Sequence, residues 1–269
     1  MTSANLETAE KSRVGAFVGG TGIGVLGGLI GLGGAEFRLP LLIGAFRFAA
    51  LEAVIVNKAM SLIVVASALP FRTGTVSVDV IAGHWSIIAN LLAGSLIGAW
   101  VGASWATRLK SETLYRVLAI LLVAIAVVLF VGHDADSGGK PLVTGGAQLV
   151  AGIVAGFLIG VVASLMGVAG GELLIPTLIL MFGADVKLAG SLSLAVSLPT
   201  MLVGFARYSR DSTFAVLGRN RWFVAVMATG SIVGSFIGAA LLGIVPGSVL
   251  LPLLAVILLV SAVKVWRHK

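Results

Sequence analysis

The chain contains no cysteine and few charged residues. Among its 269 residues, 18 are Lys or Arg, 11 are Asp or Glu and three are His. The absence of cysteine excludes disulfides, thiolate catalysis and cysteine-ligated metal sites. A charged fraction of 11% also excludes an ordinary soluble domain, in which roughly 25% of residues are charged.

Apolar residues and glycine take the place of charge. Hydrophobic residues make up 58% of the chain, the mean hydropathy is +1.12, and 36 residues are glycine. Stretches such as 117–131 and 249–263 are apolar on every side, so they face lipid or other helices. Small residues let such helices pack closely. The sequence therefore predicts an all-α polytopic membrane protein.

The net charge of +7 comes from Lys and Arg near the ends of the apolar stretches rather than along one solvated face. Membrane proteins concentrate these residues in their cytoplasmic loops. We therefore expect a lipid membrane, and no nucleic acid, as the partner of this basic charge.

The second half of the chain repeats the first at an offset of 136 residues. The sequence GLGGAEFRLP at 31–40 returns as GVAGGELLIP at 167–176, and the glycines at 94, 98 and 102 return at 230, 234 and 238. A duplicated, glycine-interrupted apolar chain is typical of secondary transporters with two repeats. We predict a first membrane repeat at 1–131, a linker at 132–146 and a second repeat at 147–269, all within one membrane domain.

Each half contains five apolar segments, of which the second is short. A helix of about 11 or 12 residues rises only ~17 Å, whereas the hydrocarbon layer is ~30 Å thick. The glycine break before it is therefore expected to lie within the membrane, protected by protein or facing a cavity. The predicted segments are 14–33, 36–46, 50–70, 81–105 and 113–131, then 147–167, 172–183, 188–206, 221–243 and 249–265.

Loop charges favour an inverted arrangement of the two repeats. With the N-terminus inside, five segments per half place 13 basic residues inside and three outside. Four spans per half, which would make the repeats parallel, give 11 against five. The positive-inside rule thus predicts inverted repeats with both termini in the cytoplasm.

The repeated glycine breaks predict an anion site. A helix that begins at such a break exposes unpaired N–H groups with partial positive charge, and two of them approaching from opposite leaflets would form a concave site. The alternative is that both breaks are hinges, and the two roles can coexist. The candidate binding residues are Gly33, Gly34 and Ala35 in the first half, and Ala169, Gly170 and Gly171 in the second.

Glu36 and Glu172 occupy equivalent positions directly after the breaks. An ionisable residue inside a bilayer is costly and is functional by default, so either carboxyl is a candidate for coupling proton flow to the substrate. The alternative is that each carboxylate caps the N-terminus of its own helix, which its position in the first turn suits.

Arg38 and Lys58 have no basic counterparts in the second half, where leucines occupy the equivalent positions. This asymmetry suggests substrate binding. Arg38 offers a bidentate fork to an oxyanion, and Lys58 offers a point charge. The alternatives are that Arg38 extends to the membrane interface and that Lys58 pairs with Glu36 or Glu52.

The third segments carry small polar residues on one helix face. Asn57 and Ser61 are four residues apart, as are Ser193 and Ser197. These groups can bind substrate oxygens or form hydrogen bonds between helices. Arg207, near the end of the third segment of the second half, is a candidate for attracting or gating the anion at the cytoplasmic side.

The duplicated motifs Gly-Leu-Gly-Gly-Ala-Glu and Gly-Val-Ala-Gly-Gly-Glu, each followed by three residues and a proline, resemble the TauE/SafE sulfite exporter family. The resemblance extends over nearly the whole chain. It implies export of sulfite, or of small sulfonates such as sulfoacetate, across the inner membrane, driven by a proton gradient and without a cofactor. The chain departs from the family's more usual Gly-Gly-Gly at Gly33-Gly34-Ala35 and at Ala169-Gly170-Gly171, which leaves the anion open.

Two other functions are compatible with parts of this pattern. One is a passive anion channel on the same scaffold. The other is an intramembrane enzyme, but His84, His133 and His268 lie at segment ends and no nucleophile–base spacing is present. We therefore expect a transporter and not an enzyme, with a small sulfur oxyanion as its substrate. A homo-oligomer is compatible with the sequence.

Overall fold

The structure, a computed structural model, describes residues 3–30, 34–72, 78–131, 141–241 and 247–267. Within these ranges the chain forms twelve α-helices and the 3₁₀ turn Ser212–Ala215, with no strand. The helices of the first half are α1 (Ser3–Ile30), α2 (Ala35–Gly44), α3 (Ala50–Arg72), α4 (Val78–Gly83), α5 (Trp85–Ala106) and α6 (Ser111–Val131). Those of the second half are α7 (Gly146–Met166), α8 (Gly171–Phe182), α9 (Val186–Tyr208), α10 (Val216–Arg219), α11 (Arg221–Leu241) and α12 (Gly247–Trp266).

The helices confirm an all-α polytopic membrane protein. In the described ranges, five helices are long and apolar enough to cross a membrane: Ala50–Ser67, Trp85–Ala106, Gly146–Met166, Lys187–Tyr208 and Arg221–Gly238. All ten predicted apolar segments correspond to a helix.

The sequence prediction missed the short α4 and α10, and it began α1 too late. The residues at 3–13 continue the helix because most of them are good helix formers, such as Ala, Glu and Lys. Part of the predicted linker, residues 132–140, lies outside the described residues.

The short helices α2 and α8 each fold back along the preceding helix. They contain 10 and 12 residues. On α2, Leu41 lies beside Gly19 of α1. On α8, the Met181 carbonyl accepts a hydrogen bond of 2.7 Å from Gln148 near the start of α7. Each glycine break therefore reverses the chain direction.

Glycine contacts join the first helix of each half to a helix of the other half. A Cβ at Gly20 would overlap the Met227 carbonyl, and a Cβ at Gly156 would overlap the Leu91 carbonyl. The two contacts are related by the same offset of 136 residues that relates the sequences. These glycines therefore form helix-packing surfaces. The matched contacts are Gly20–Met227 with Gly156–Leu91, and Gly24–Ser231 with Gly160–Ser95.

Substituting Gly24 with alanine is expected to destabilise the protein, whereas Gly22→Ala is expected to be neutral or stabilising. A Cβ at Gly24 would overlap the Ser231 carbonyl, but a Cβ at Gly22 would meet nothing within 4 Å. Overpacking of this kind costs about 1–3 kcal/mol, while alanine is up to ~1 kcal/mol better than glycine within a helix. Thermal unfolding followed by tryptophan fluorescence measures both. Equal Tm values for the two variants would contradict this packing.

Helix α3 lies at the centre of the molecule. Every residue from 53 to 61 is buried. This stretch includes Asn57, Lys58 and Ser61, so three polar residues of the sequence prediction lie in the protein interior and face other helices.

Candidate functional site

The starts of α2 and α8 meet at two buried glutamates. Glu36 and Glu172 are each the second residue of their helix, and their exposed fractions are 2% and 3%. Their carboxyl groups interact with each other. Because each glutamate is in a first helical turn, this contact brings the two glycine breaks together.

Both helices begin directly after a glycine in the left-handed conformation. Gly34 has a φ of 69° and Gly170 a φ of 82°, and residues with a Cβ rarely adopt this region. The Gly34 carbonyl accepts the N–H groups of Phe37 and Arg38, each at 3.2 Å. The N–H groups before these have no helical partner.

Arg38 lies beside this meeting point and is completely buried. Its Nη1 atom donates to Asn57 Oδ1 at 3.4 Å and to Ser61 Oγ at 3.3 Å, and its charge acts on the Glu36 carboxyl. The alternative that Arg38 extends to the membrane interface does not fit this burial. Arg38 is instead a cation held inside the protein.

Asn57 and Ser61 connect the two breaks. The Asn57 side-chain amide donates to the Ala35 carbonyl at 3.0 Å and to the Met166 carbonyl at 3.1 Å. Ser61 Oγ donates to the Gly167 carbonyl at 3.3 Å. The start of α2 and the end of α7 are therefore joined by two side chains of α3.

Lys58 caps the end of α7. Its Nζ donates to the Ala163 carbonyl at 3.0 Å and to the Val168 carbonyl at 3.2 Å. A cation is favourable there because the last carbonyls of a helix carry partial negative charge. Glu52, which the sequence suggested as a partner of Lys58, instead forms a salt bridge of 2.9 Å with Arg219.

The candidate residues of the second half are arranged differently. Ser193 donates to the Gly190 carbonyl of its own helix at 2.8 Å. Ser197 is buried, and Ala169 belongs to an apolar cluster with Val65 and Met201. Gly33 lies outside the described residues.

Arg207 is not at the meeting point. It lies ten residues beyond Ser197 on α9, about 15 Å along the helix. Its Nε donates to Ser104 Oγ at 2.7 Å, and its guanidinium lies 5.9 Å from the centre of the Trp100 ring. It therefore belongs to the contact between the ends of α5 and α9.

Sequence reasoning missed a second polar group next to Lys58. The Tyr208 hydroxyl donates to the Ser164 carbonyl at 2.8 Å. Gly204 leaves room for this group, since a Cβ there would lie 2.7 Å from Ser164 Oγ and 3.2 Å from Lys58 Cε. The repeat could not reveal these residues, because glycine and arginine stand where Ser164 and Tyr208 have their first-half equivalents. The available signal was the position of Ser164, three residues before the Gly167 break.

Comparison with known proteins identifies the family. The family model for the sulfite exporter TauE/SafE matches residues 16–265. The chain belongs to the TauE/SafE family. The probable membrane transporter protein YunE of Bacillus subtilis (strain 168) is 31% identical over 109 residues, which is 40% of this chain and 37% of that relative. The match thus spans little more than a third of YunE. No solved structure matches the chain.

The TauE/SafE match confirms the resemblance. The chain's departures from Gly-Gly-Gly do not disturb the breaks. Among the described positions of these two triplets, Gly34 and Gly170 have a positive φ, whereas Ala35 and Ala169 do not. A methyl group is tolerated at these two positions of this TauE/SafE protein because their backbone conformation suits any residue.

Proposed function

We propose that the protein is a secondary transporter that exports sulfite or a small organosulfonate across the inner membrane. The observation that carries the proposal is the meeting of two helix starts at a buried point, with the Arg38 guanidinium beside it. Paired helix N-termini and a guanidinium fork are both suited to oxyanions.

The proposed substrate binds between the breaks, against the N–H groups that follow Gly34 and Gly170. Three oxygens of a sulfite or sulfonate group can accept from these N–H groups and from Arg38 together. Asn57 and Ser61 hold Arg38 in place, and Asn57 also binds the Ala35 carbonyl at the start of α2. The remaining proposed contacts are Gly33, Ala169, Gly171, Ser193 and Ser197, with Lys58 positioning the end of α7.

We also propose that the two repeats are inverted and that both termini are cytoplasmic. Along each pair of helices the numbers of the contacting residues increase together, as from Gly20–Met227 to Gly24–Ser231. This supports a parallel course of α1 with α11 and of α5 with α7. Because α2 and α8 each reverse the chain, each half makes an odd number of passes. A rocking of one half against the other would then expose the central site to each side in turn.

Proton coupling is assigned to Glu36 and Glu172, the two carboxyls at the site. Arg207 lies at an end of α9 and serves in this proposal to attract the anion on the cytoplasmic side. Its guanidinium is partly buried beside Trp100, and Arg210 lies 4.9 Å from the centre of the same ring. Two cations near one helix end raise the local concentration of an anion.

Flux of radiolabelled sulfite into proteoliposomes tests this function. We expect sulfite to accumulate against its own gradient when a pH gradient is imposed, with no accumulation in empty liposomes. A passive channel on the same scaffold would give only downhill flux, and that result would overturn the transporter proposal. Competition by taurine, sulfoacetate and sulfate in the same vesicles identifies the preferred anion.

A further inference from the structure

We propose that Glu36 and Glu172 form a single proton-binding unit, and that each bound anion brings one additional proton onto this pair. The inference rests on the proposed anion site and adds its coupling: anion and proton bind together, so each exported anion leaves with a proton and export runs down the anion's own gradient. Neither carboxyl acts alone, because the structure places the two side chains against each other.

The unpaired oxygen atoms of the two carboxyls support a shared proton. Glu36 Oε1 and both carboxyl oxygens of Glu172 are buried and have no donor among the described residues. A buried acceptor without a donor is costly, and two adjacent carboxylates repel each other away from water. One proton between the carboxyls provides a donor and removes one of the two charges.

The charges around the pair are few. Arg38 on α2 acts on Glu36. On α3, the Lys58 ammonium is engaged by the Ala163 and Val168 carbonyls at the end of α7. The other charged residues of the helices packed against α2 and α8 stand towards helix ends: Glu7, Glu10, Lys11 and Arg13 on α1, Glu52 and Arg72 on α3, Glu112 and Arg116 on α6, Lys187 and Arg207 on α9, and Lys264 on α12.

Charge balance then links the anion to a second proton. With one shared proton, the pair carries a charge of −1 beside the two helix starts, and the Arg38 guanidinium balances it. A monovalent anion added to this state would leave a net charge of −1 in a buried site. A second proton on the pair restores neutrality. The bound anion thus replaces the carboxylate charge.

Calorimetry of isethionate binding tests the coupling in the purified full-length protein reconstituted in lipid nanodiscs. Isethionate is a permanently ionised sulfonate, so any proton taken up on binding is bound by the protein. We expect uptake of about one proton per isethionate, measured in buffers of different ionisation enthalpy. The affinity should fall about tenfold for each unit of rising pH, as linkage to one proton requires.

The Glu36→Gln/Glu172→Gln double variant should abolish both the proton uptake and the pH dependence, since glutamine keeps the shape of the side chain without its titration. Glu52→Gln is the matched control, because Glu52 pairs with Arg219 away from the site. We expect it to behave as the wild type. Isethionate binding without proton uptake in the wild type, or uptake that persists in the double variant, would overturn the inference.

Infrared difference spectroscopy separates this inference from the proposed function. A protonated carboxyl band should be present in the wild type without any anion and absent from the Glu36→Gln/Glu172→Gln double variant. If neither isethionate nor sulfite binds but the band behaves in this way, the proposed substrate is wrong and the shared proton is supported. If the band is absent from the wild type, or unchanged in the double variant, the proton-binding unit is refuted whatever anion binds.

Discussion

Arg38→Leu is expected to abolish sulfite transport. Leucine is the residue at the equivalent position of the second half, Leu174, which is buried there. The substitution removes the cation beside the starts of α2 and α8, so the Glu36 carboxyl loses its neighbouring positive charge. It also removes the donor to Asn57 Oδ1. Loss of one partner from a buried charged contact corresponds to a decrease on the order of 100-fold or more in binding.

The initial rate of sulfite uptake into proteoliposomes measures this effect. Arg219→Leu is the control, because Arg219 is 64% exposed and pairs with Glu52 away from the site. It should transport at close to the wild-type rate. Arg38→Lys, which keeps the charge but loses the fork, should retain partial activity. If Arg38→Leu transports sulfite within a fewfold of the wild-type rate, Arg38 does not belong to the anion site.

Lys58→Met is expected to lower stability more than it lowers anion affinity. Methionine removes the ammonium and leaves the Ala163 and Val168 carbonyls without their donor. Hydrogen bonds from charged groups contribute roughly 1.5–3 kcal/mol each, so we expect the variant to lose roughly 2–3 kcal/mol of unfolding free energy. The resulting movement of the α7 end would also slow transport, because Asn57 and Ser61 bind carbonyls of the same segment.

Thermal unfolding and isethionate binding, measured on the same preparation, distinguish this positioning role from direct anion binding. Lys187→Met is the matched control, since Lys187 is exposed at the start of α9. A Lys58→Met protein with a normal Tm and greatly weakened isethionate binding would show that the ammonium contacts the anion. A lower Tm with a nearly unchanged Kd would support the capping of α7.

Much of the helical framework could be predicted from local sequence. The breaks before α2 and α8 follow from glycine, because a positive φ is accessible to it and costly for other residues. The lengths of the apolar stretches predict the helices, and the charge at their ends predicts the topology. Glu36 and Glu172 were recognisable as a related pair because the repeat aligns them at the same offset.

The repeat was less informative where the two halves differ. Lys58 stood out because leucine occupies the equivalent position in the second half. The sequence did not reveal, however, that the partners of Lys58 are backbone carbonyls more than 100 residues away. Carbonyl acceptors occur at every residue, so no side-chain pattern identifies them in advance. Ser164 and Tyr208 were missed for a related reason: the contact between them has no sequence periodicity.

The amino-acid sequence alone thus predicts a duplicated helical membrane protein, its glycine breaks and the charged residues that belong near them, since these depend on local backbone preference and hydrophobicity. Only the tertiary structure brings Glu36 against Glu172 and connects Ala35 to Met166 through Asn57. Such contacts join segments far apart in the chain. They depend on how the helices pack, because a close approach between two helices is set by both surfaces together.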